Sequence, residues 1–341
     1  MNAPVATTQG VRWVPSIIAS EISIGYTENS LRESMSFDVT ALPTSCPLPY
    51  ASYVGMLAQR LPTSIVDITT QRKHPPVPTQ ASSEFLINKR LGDWGEDLIF
   101  RSIRSSTDYI PVKYGRAADT VAGEPGFKKF YKQYQDELDR FGKRPDLLVF
   151  RPQDYTRSDH DLSGANEDEI MDLVRNAVLG IEVRSSSYLS KKYRPGESSP
   201  FDVLSFTIKV EDIVVVLNWI QNTGVPHLYV QVPFDEVYGL EFHKALEIVL
   251  NPANEDKTYA IAEDAKNQFK TTLKIPFTQG IKVGDITESP SFKAVRRDLD
   301  SGRLLFYVEF SGGTLTAIPC VWKKIFEQAE QIKHNPPTLQ V

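Results

Sequence analysis

The sequence has few cysteines and no long apolar run. Its two cysteines, Cys46 and Cys320, lie far apart and form no metal-binding spacing, so neither a disulfide framework nor a zinc site is indicated. A reducing cytoplasm is the expected compartment. No stretch is long and apolar enough for a membrane span, and the N-terminus lacks a basic segment followed by an apolar one. We therefore expect neither a membrane protein nor a secreted one.

Motifs for nucleotide binding and for a serine nucleophile are also absent. The sequence contains no Walker A or dinucleotide fingerprint, which argues against ATP-driven translocation. Ser185, Ser186 and Ser187 lack the flanking glycines of a nucleophile elbow. The net charge is −5, so no overall positive field attracts nucleic acid. Binding of DNA would need a local basic surface.

What the sequence does contain is two acidic residues beside short β-like runs. Asp146 precedes residues 147–150, and Glu182 lies within residues 180–186, far enough along the chain for one strand to turn back beside the other. Two carboxylates from neighbouring strands, with Arg184 two positions after the second, form an arrangement that can hold Mg²⁺ against a phosphodiester. A Pro-Asp turn and an exposed Glu-x-Arg strand edge are the ordinary alternatives for the two halves.

The segment that follows Arg184 predicts the topology. Residues 205–224 are interpreted as a loop and a helix that ends near Gly224, and residues 227–232 as a strand. A crossover helix between neighbouring strands produces a parallel pair. The sequence thus predicts an α/β protein with a mixed sheet, and both acids project from its central strands.

These segments resemble the type II restriction endonucleases of the PD-(D/E)XK superfamily, and within it the AccI-type group. The resemblance runs from Arg144 to Tyr238 and is carried by residues 144–146, 180–186, 206–212 and 225–235. It implies a restriction-endonuclease-like core, in which a central mixed β-sheet is flanked by helices, with N-terminal and β-containing C-terminal elaborations. It also implies Mg²⁺-dependent, sequence-specific cleavage of double-stranded DNA by a metal-activated water.

The resemblance makes Asp146 and Glu182 metal ligands and adds the backbone carbonyl of Val183. The sequence departs from the superfamily at Arg184, where a lysine is usual. A guanidinium stays protonated and is a poor general base, whereas a lysine can shift its pKa and orient a water. Either Arg184 acts only electrostatically, or a lysine from elsewhere takes the role. Lys209, near the start of the crossover helix, is the candidate, and an ordinary solvated lysine is the alternative.

Glu96 is a candidate third acid. Residues 91–100 are interpreted as a helix start, with Asp93 as N-cap and Glu96 at the third helical position of a capping box. Nucleases of this superfamily often place a glutamate from a helix before the core beside the metal. The two roles conflict, because a carboxylate folded back onto its own helix cannot reach a metal.

DNA contacts are expected next to the proposed site. The basic and aromatic segment that follows the Glu-x-Arg strand would bind flanking phosphates through Tyr188, Lys191, Lys192, Tyr193 and Arg194, and a solvated loop is the alternative. Base reading is assigned to the C-terminal β region, where Lys293, Arg296, Arg297 and Arg303 are donors or simply a solvated surface. A helix over residues 126–141 has an aromatic face, interpreted as core packing, and a basic face with Lys128, Lys129 and Lys132.

Three regions are expected along the chain. Residues 1–80 form an N-terminal elaboration, a candidate for contact with DNA or a second subunit. Residues 84–250 form the nuclease core, and residues 255–341 form a β-rich region that is a candidate for specificity. Within the last region, residues 260–269 are predicted to be helical, and a final helix is predicted over residues 322–332.

The preferred function is that of a type II restriction endonuclease. The resemblance implies a homodimer, since a symmetric DNA site suits a symmetric protein and both strands must be cut. A cognate DNA methyltransferase is expected in the same system, though not as a stable partner. The alternatives are a repair or structure-selective nuclease with the same core, and a non-catalytic DNA-binding protein in which Arg184 reports a decayed site.

Overall fold

The computed structural model describes residues 74–116, 120–192, 204–254, 258–264 and 270–335. The predictions for residues 1–73, and those for Tyr193 and Arg194, lie outside these residues. Among the described residues no helix is both long and apolar enough to cross a membrane.

Some of the helix ends are set by recognisable caps. The helices are α1 (Ser83–Ser106), α2 (Phe127–Arg140), α3 (Glu167–Arg175), α4 (Val210–Thr223), α5 (Phe242–Leu250) and α6 (Val321–His334), and short 3₁₀ turns occur at Pro152–Asp154, Ser190–Lys192, Pro252–Asn254 and Phe277–Gln279. Helix α1 starts where the Ser82 hydroxyl accepts a hydrogen bond from the Phe85 N–H at 3.0 Å. Helix α4 ends at Gly224, whose φ of 70° is the left-handed conformation that favours glycine.

One mixed sheet of seven strands organises the fold. The strands are β1 (Ile110–Lys113), β2 (Leu147–Phe150), β3 (Leu179–Ser185), β4 (Ser205–Lys209), β5 (His227–Val232), β6 (Glu236–Glu241), β7 (Ala260–Asp264), β8 (Lys270–Pro276), β9 (Ile281–Glu288), β10 (Ser291–Asp298), β11 (Leu304–Ser311) and β12 (Thr314–Ala317). The order in the large sheet is β1-β2-β3-β5-β6-β9-β12, and β9 and β12 bring the C-terminal region into it. Strands β4, β8 and β7 form a second sheet, and β10 and β11 form a separate two-stranded ribbon.

The pairing within the large sheet confirms the predicted topology. Strand β2 turns back and pairs with β3 in antiparallel register, Leu147 opposite Ile181. Strand β3 pairs with β5 in parallel, Glu182 opposite Tyr229, and α4 lies on the connection between them. The fold is therefore the expected α/β class, a mixed sheet with helices on its faces.

The helices cover both faces of the sheet, so the sheet separates two cores. Helices α3, α4 and α5 pack on one face, and α1 and α6 pack on the other. Alternate residues of β3 serve the two faces: Ile181 and Val183 belong to the core beneath α1, and Gly180 faces α4. A Cβ atom at Gly180 would come within 2.8 Å of the Trp219 ring, so glycine is needed for this close approach of helix and sheet.

Three local predictions differ from the structure. Residues 260–264 form strand β7, not a helix, because pairing with β8 (Ile261 opposite Leu273) decides their conformation over local propensity. The expected loop at residue 205 is strand β4, which pairs with β8. The helix predicted to start at Asp93 starts earlier, at Ser83, since Ser82 supplies its cap. The helices predicted over residues 126–141 and 322–332 are confirmed as α2 and α6.

Candidate active site

Asp146 and Glu182 face each other at the end of the β2–β3 pair. The paired register stops at Leu147 opposite Ile181, and the two acids occupy the next step outward. One carboxylate oxygen of Asp146, Oδ2, accepts a hydrogen bond from the Val183 N–H at 2.6 Å. This bond fixes the Asp146 side chain beside β3. The structure thus brings together the two acids that the sequence pattern singled out, while Val183 contacts Asp146 through its amide nitrogen.

Two cationic side chains bind the same oxygen of the buried Glu182 carboxylate. Lys143 Nζ donates to Glu182 Oε1, and Arg184 Nη2 donates to the same oxygen at 3.3 Å. Arg184 Nη2 also donates to Asp212 Oδ2 at 2.8 Å, and Lys143 Nζ lies 3.7 Å from that oxygen. The second oxygen, Glu182 Oε2, is buried without a hydrogen-bond partner in the part of the chain that the structure describes.

Lys143 is the functional candidate that sequence reasoning missed. Burial alone would lower the pKa of its ammonium group, but the Glu182 and Asp212 carboxylates raise that pKa above its usual value. Lys143 therefore stays charged. The signal was available, since Lys143 stands three positions before Asp146, but a lysine is expected after the glutamate in the superfamily pattern and not before the aspartate.

Lys209, the lysine proposed from the sequence, lies at the N-cap of α4 and acts electrostatically on the Asp212 carboxylate. Burial acts to raise the pKa of Asp212, but Lys143, Arg184 and Lys209, in that order, lower it to about 2. No bond from the Lys209 ammonium to Glu182 or Asp146 appears among the described residues. Lys143, and not Lys209, is the lysine in contact with Glu182.

Glu96 lies in the middle of α1, so the capping-box interpretation is wrong. Its neighbour Gly95 lets α1 approach β3 closely: a Cβ atom there would come 2.0 Å from Ser185 Oγ and 3.4 Å from a Val183 methyl group. Burial, with Asp93 and Glu182 adding to it, raises the pKa of Glu96 to about 7. Its carboxylate therefore does not cap the helix. It lies near enough to Asp146 and Glu182 to interact electrostatically with them.

The three carboxylates influence one another strongly. Burial raises the pKa of Asp146 well above its usual value, and Glu182 and then Glu96 raise it further. Burial has the same tendency at Glu182, but Lys143 and Arg184 outweigh it and hold the pKa of Glu182 below its usual value. Among the described residues no three His, Cys, Asp or Glu side chains are close enough to form a preassembled metal site.

A buried ion-pair network holds the segment that carries Lys143 and Asp146. Arg144 Nε lies 2.6 Å from Glu137 Oε1 and 2.9 Å from Glu167 Oε2, and Arg144 Nη2 donates to the Ala165 carbonyl at 3.0 Å. The Tyr114 hydroxyl donates a hydrogen bond to Glu167 Oε1. It accepts one from the indole N–H of Trp219 in α4, at 3.1 Å. Arg144 thus anchors the backbone between the lysine and the aspartate.

Tyr134 of α2 is a further group beside the acids that the sequence did not reveal. Burial raises its pKa; Lys143 acts against that shift, whereas Glu182, Asp212 and Asp146 act with it. The tyrosine ring stacks on Phe130 one turn earlier, with centroids 6.3 Å apart and planes inclined by 5°. Helix α2 therefore runs alongside the acidic cluster.

Comparison with known families decides what kind of protein carries this cluster. A model of the AccI restriction endonuclease family matches residues 48–200 and 196–321, which is more than half of the chain. The chain belongs to this family. No match was found among the curated proteins or among the solved structures compared. Membership of the AccI restriction endonuclease family implies sequence-specific cleavage of DNA.

The loop after β3 in this AccI-family chain is fixed to neighbouring strands. The backbone N–H groups of Ser190 and Lys191 donate to the Asp235 carboxylate at 2.7 and 2.8 Å. The Lys191 ammonium donates to Asp285 Oδ1 at 2.7 Å, whereas Lys192 is exposed. Tyr188 is 54% exposed. Such a surface pair is weak, so the pairing of Lys191 leaves a phosphate contact open to it.

Three of the four basic residues expected to read bases have partners within the AccI-family fold, and the fourth, Lys293, is exposed on β10. Arg297 donates to both carboxylate oxygens of Glu124, at 2.9 and 2.7 Å, and so ties the ribbon to the loop before α2. Arg303 donates to Gln80 at 2.7 Å, and Arg296 is paired with Asp298. The Arg297 contact is structural, so the expectation that these residues read bases gains no support from their contacts.

Proposed function

We propose that the protein is a type II restriction endonuclease that hydrolyses double-stranded DNA with Mg²⁺, using Asp146 and Glu182 as the metal ligands. The observation that supports this most strongly is the position of the two acids, opposite each other where β2 and β3 end, with Lys143 bound to Glu182. Family membership supplies the reaction class, and the acidic cluster is where that chemistry fits best.

The donor set suits Mg²⁺. This ion prefers oxygen ligands and keeps several of its waters, so one or two carboxylates are enough to hold it. Glu182 Oε2 is a buried oxygen with no hydrogen-bond partner among the described residues, and Asp146 supplies a second carboxylate. The Val183 carbonyl is the expected third ligand. The bound ion would lower the pKa of a coordinated water and offset the charge that develops on the phosphate.

Lys143 takes the part that the superfamily usually gives to a lysine after the glutamate. Its raised pKa keeps it protonated, so it acts as a cation that stabilises negative charge on the phosphate and not as a base. Arg184 adds a second positive charge, oriented by Glu182 and Asp212. Glu96 is the third acid: its pKa of about 7 lets it hold a proton near the reacting water at neutral pH.

The partners follow from the reaction. We propose a cytoplasmic homodimer, because cutting both strands of a symmetric site is best matched by two-fold symmetry. A cognate methyltransferase would protect host DNA in the same restriction-modification system without forming a stable complex. The contact of Lys143 with Glu182 also disfavours a decayed, non-catalytic site, since a lysine is present although residue 184 is arginine.

The test is cleavage of long unmethylated DNA by the full chain, with and without Mg²⁺. Discrete fragments are expected with Mg²⁺ only, and they should disappear in Asp146→Asn and Glu182→Gln. The matched control is Asp172→Asn, which removes a fully exposed carboxylate of α3. Nicks that follow DNA structure, or fragments that persist in both site variants, would contradict the proposal.

A pair of lysine variants tests the assignment of Lys143. We expect Lys143→Met to slow cleavage by about 10²–10³-fold, the usual loss when one group that stabilises the transition state is removed. Lys209→Met should remain within a few-fold of the parent protein, because its ammonium makes no contact with the acids among the described residues. The reverse order of effects would return the role to Lys209.

A further inference from the structure

A basic groove runs along the N-terminal half of α2. It has a volume of about 590 Å³, and its walls include His74, Lys128, Lys129, Tyr131, Lys132 and Gln135. The aromatic residues of this helix are only half-buried, which differs from the core packing expected from their spacing. A face of α2 is thus accessible at the surface.

The charge in this groove is not neutralised within the described protein. All three lysines are exposed, and none forms an ion pair with a described carboxylate. The first turn of α2 carries no acidic residue, so the lysines add to the positive end of the helix dipole. Such an arrangement is normally unfavourable for a helix and becomes favourable when an anion lies there.

Two of the three acids of the same helix are engaged in ion pairs, and the third, Asp136, is exposed one turn after Lys132. Glu137 is held by Arg144 and Arg116, and Asp139 contacts His74. The three lysines outnumber that one exposed carboxylate, so the groove carries a local excess of positive charge on a chain whose net charge is −5. A protein with that net charge that binds DNA needs such a local surface.

Helix α2 connects the groove directly to the acidic cluster. Tyr134 lies beside the acids, and the helix ends at Arg140, three positions before Lys143. The axis from Lys132 to Arg140 is about 12 Å long at 1.5 Å per residue. That length corresponds to about three or four base-pair steps at 3.4 Å each along one strand. Lys128 and Lys132 stand about 6 Å apart along the axis and so match neighbouring phosphates of a polyanion better than a single small anion.

We propose that the groove of Lys128, Lys129 and Lys132 binds the phosphate backbone of the duplex that flanks the cleaved bond. This inference rests on the proposed function, because it places the DNA relative to the acids of that site. The contact positions the duplex without reading its sequence, since phosphates carry no base information. It differs from the loop of residues 188–194, which follows β3 on another part of the chain.

The test is the salt dependence of binding to a labelled 30-base-pair duplex of random sequence, in EDTA, by the full chain. The groove variant is K128Q/K129Q/K132Q. The matched control is K244Q/K323Q/K324Q, which makes the same charge change on α5 and α6. Each phosphate contact contributes about −0.9 to the slope of log K against log salt, so the groove variant should lose about 2–3 from the slope's magnitude. The control and K128R/K129R/K132R should keep the parent slope.

An unchanged slope in the groove variant would overturn the inference, and so would a weaker affinity at an unchanged slope, because then no phosphate contact has been lost. Unfolding midpoints in urea, equal among the variants, verify that the fold is retained. The assay needs neither metal nor cleavage. A failure of the groove to bind DNA can therefore be told apart from a failure of the proposed nuclease activity.

Discussion

Replacing Arg144 by methionine should destabilise the protein far more than the same replacement at Arg140. The side chain of Arg144 is 2% exposed and neutralises Glu137 and Glu167, whose side chains are 10% and 1% exposed. Methionine preserves much of the length and removes the charge, so the buried Glu167 loses its ion-pair partner and Glu137 keeps only Arg116. Arg140 is also held by two short hydrogen bonds, both 2.7 Å, to Asp168, but that pair is at the surface.

The expected magnitudes differ because of burial. Removing one partner of a buried ion pair leaves an uncompensated charge and costs about 3–5 kcal/mol. An exposed pair contributes about 1 kcal/mol or less. We therefore expect the free energy of unfolding to fall by at least about 2 kcal/mol more for Arg144→Met than for Arg140→Met. The double neutralisation Glu137→Gln/Glu167→Gln in the Arg144→Met background should recover part of the loss.

The loss should also depend on pH in a defined direction. Burial raises the pKa of Glu167, and Arg144 is the largest influence that lowers it. Without Arg144 the folded-state pKa rises further above that of the unfolded chain, so stability is present at low pH and is lost as pH rises through that pKa. The deficit of Arg144→Met relative to the parent should thus be larger at pH 8 than at pH 5.

Urea unfolding followed by tryptophan fluorescence measures both effects, since Trp219 contacts Tyr114 in this network. Equal m-values would show that the same surface is exposed on unfolding in all variants. Equal losses for Arg144→Met and Arg140→Met, or a deficit that shrinks as pH rises, would refute the argument that burial makes this network costly to break.

Two further predictions concern stability. Gly142→Ala should lower the free energy of unfolding by about 2–5 kcal/mol, because the residue has a φ of 91° and its Cβ would lie 2.3 Å from the backbone of α4. Gly224→Ala, where a Cβ would meet open space, should lower it by about 1–2 kcal/mol. Urea unfolding midpoints compare the two variants. Burial raises the pKa of Glu241 to about 7. The free energy of unfolding of the parent protein should therefore fall by up to about 3 kcal/mol between pH 4.5 and pH 7 through this group. Glu241→Gln should lack that decline when stability is measured across the same pH range.

The parts of the fold that sequence predicted are those encoded locally. Asp146 and Glu182 each stand next to a short apolar run, and antiparallel pairing of those two runs was enough to place them opposite each other. The crossover helix was visible because its apolar run ends at Gly224. The parallel β3–β5 pair then followed from the connection.

What the sequence did not predict depends on contacts between distant segments. Lys143 reaches Glu182 only because Gly142 packs against α4 and the Arg144 network holds the chain behind it. Residues 260–264 became a strand because β8 offers a partner. Glu96 faces the acids because Gly95 lets α1 approach β3, a steric fact with no signature in local periodicity.

The dispersal of the acidic cluster along the chain has a consequence for its synthesis. Glu96, Asp146 and Glu182 are made first, but Asp212 and β5, the parallel neighbour of β3, come later. At typical translation rates the ribosome needs roughly 3–10 s to proceed from Glu182 to the end of β5. Throughout that interval β3 lacks one of its two neighbours, and during the earlier part of it, before residue 212 is translated, Arg184 also lacks Asp212. The nascent chain therefore carries the acids without their final arrangement, and the cluster arises only once the central strands have all been translated.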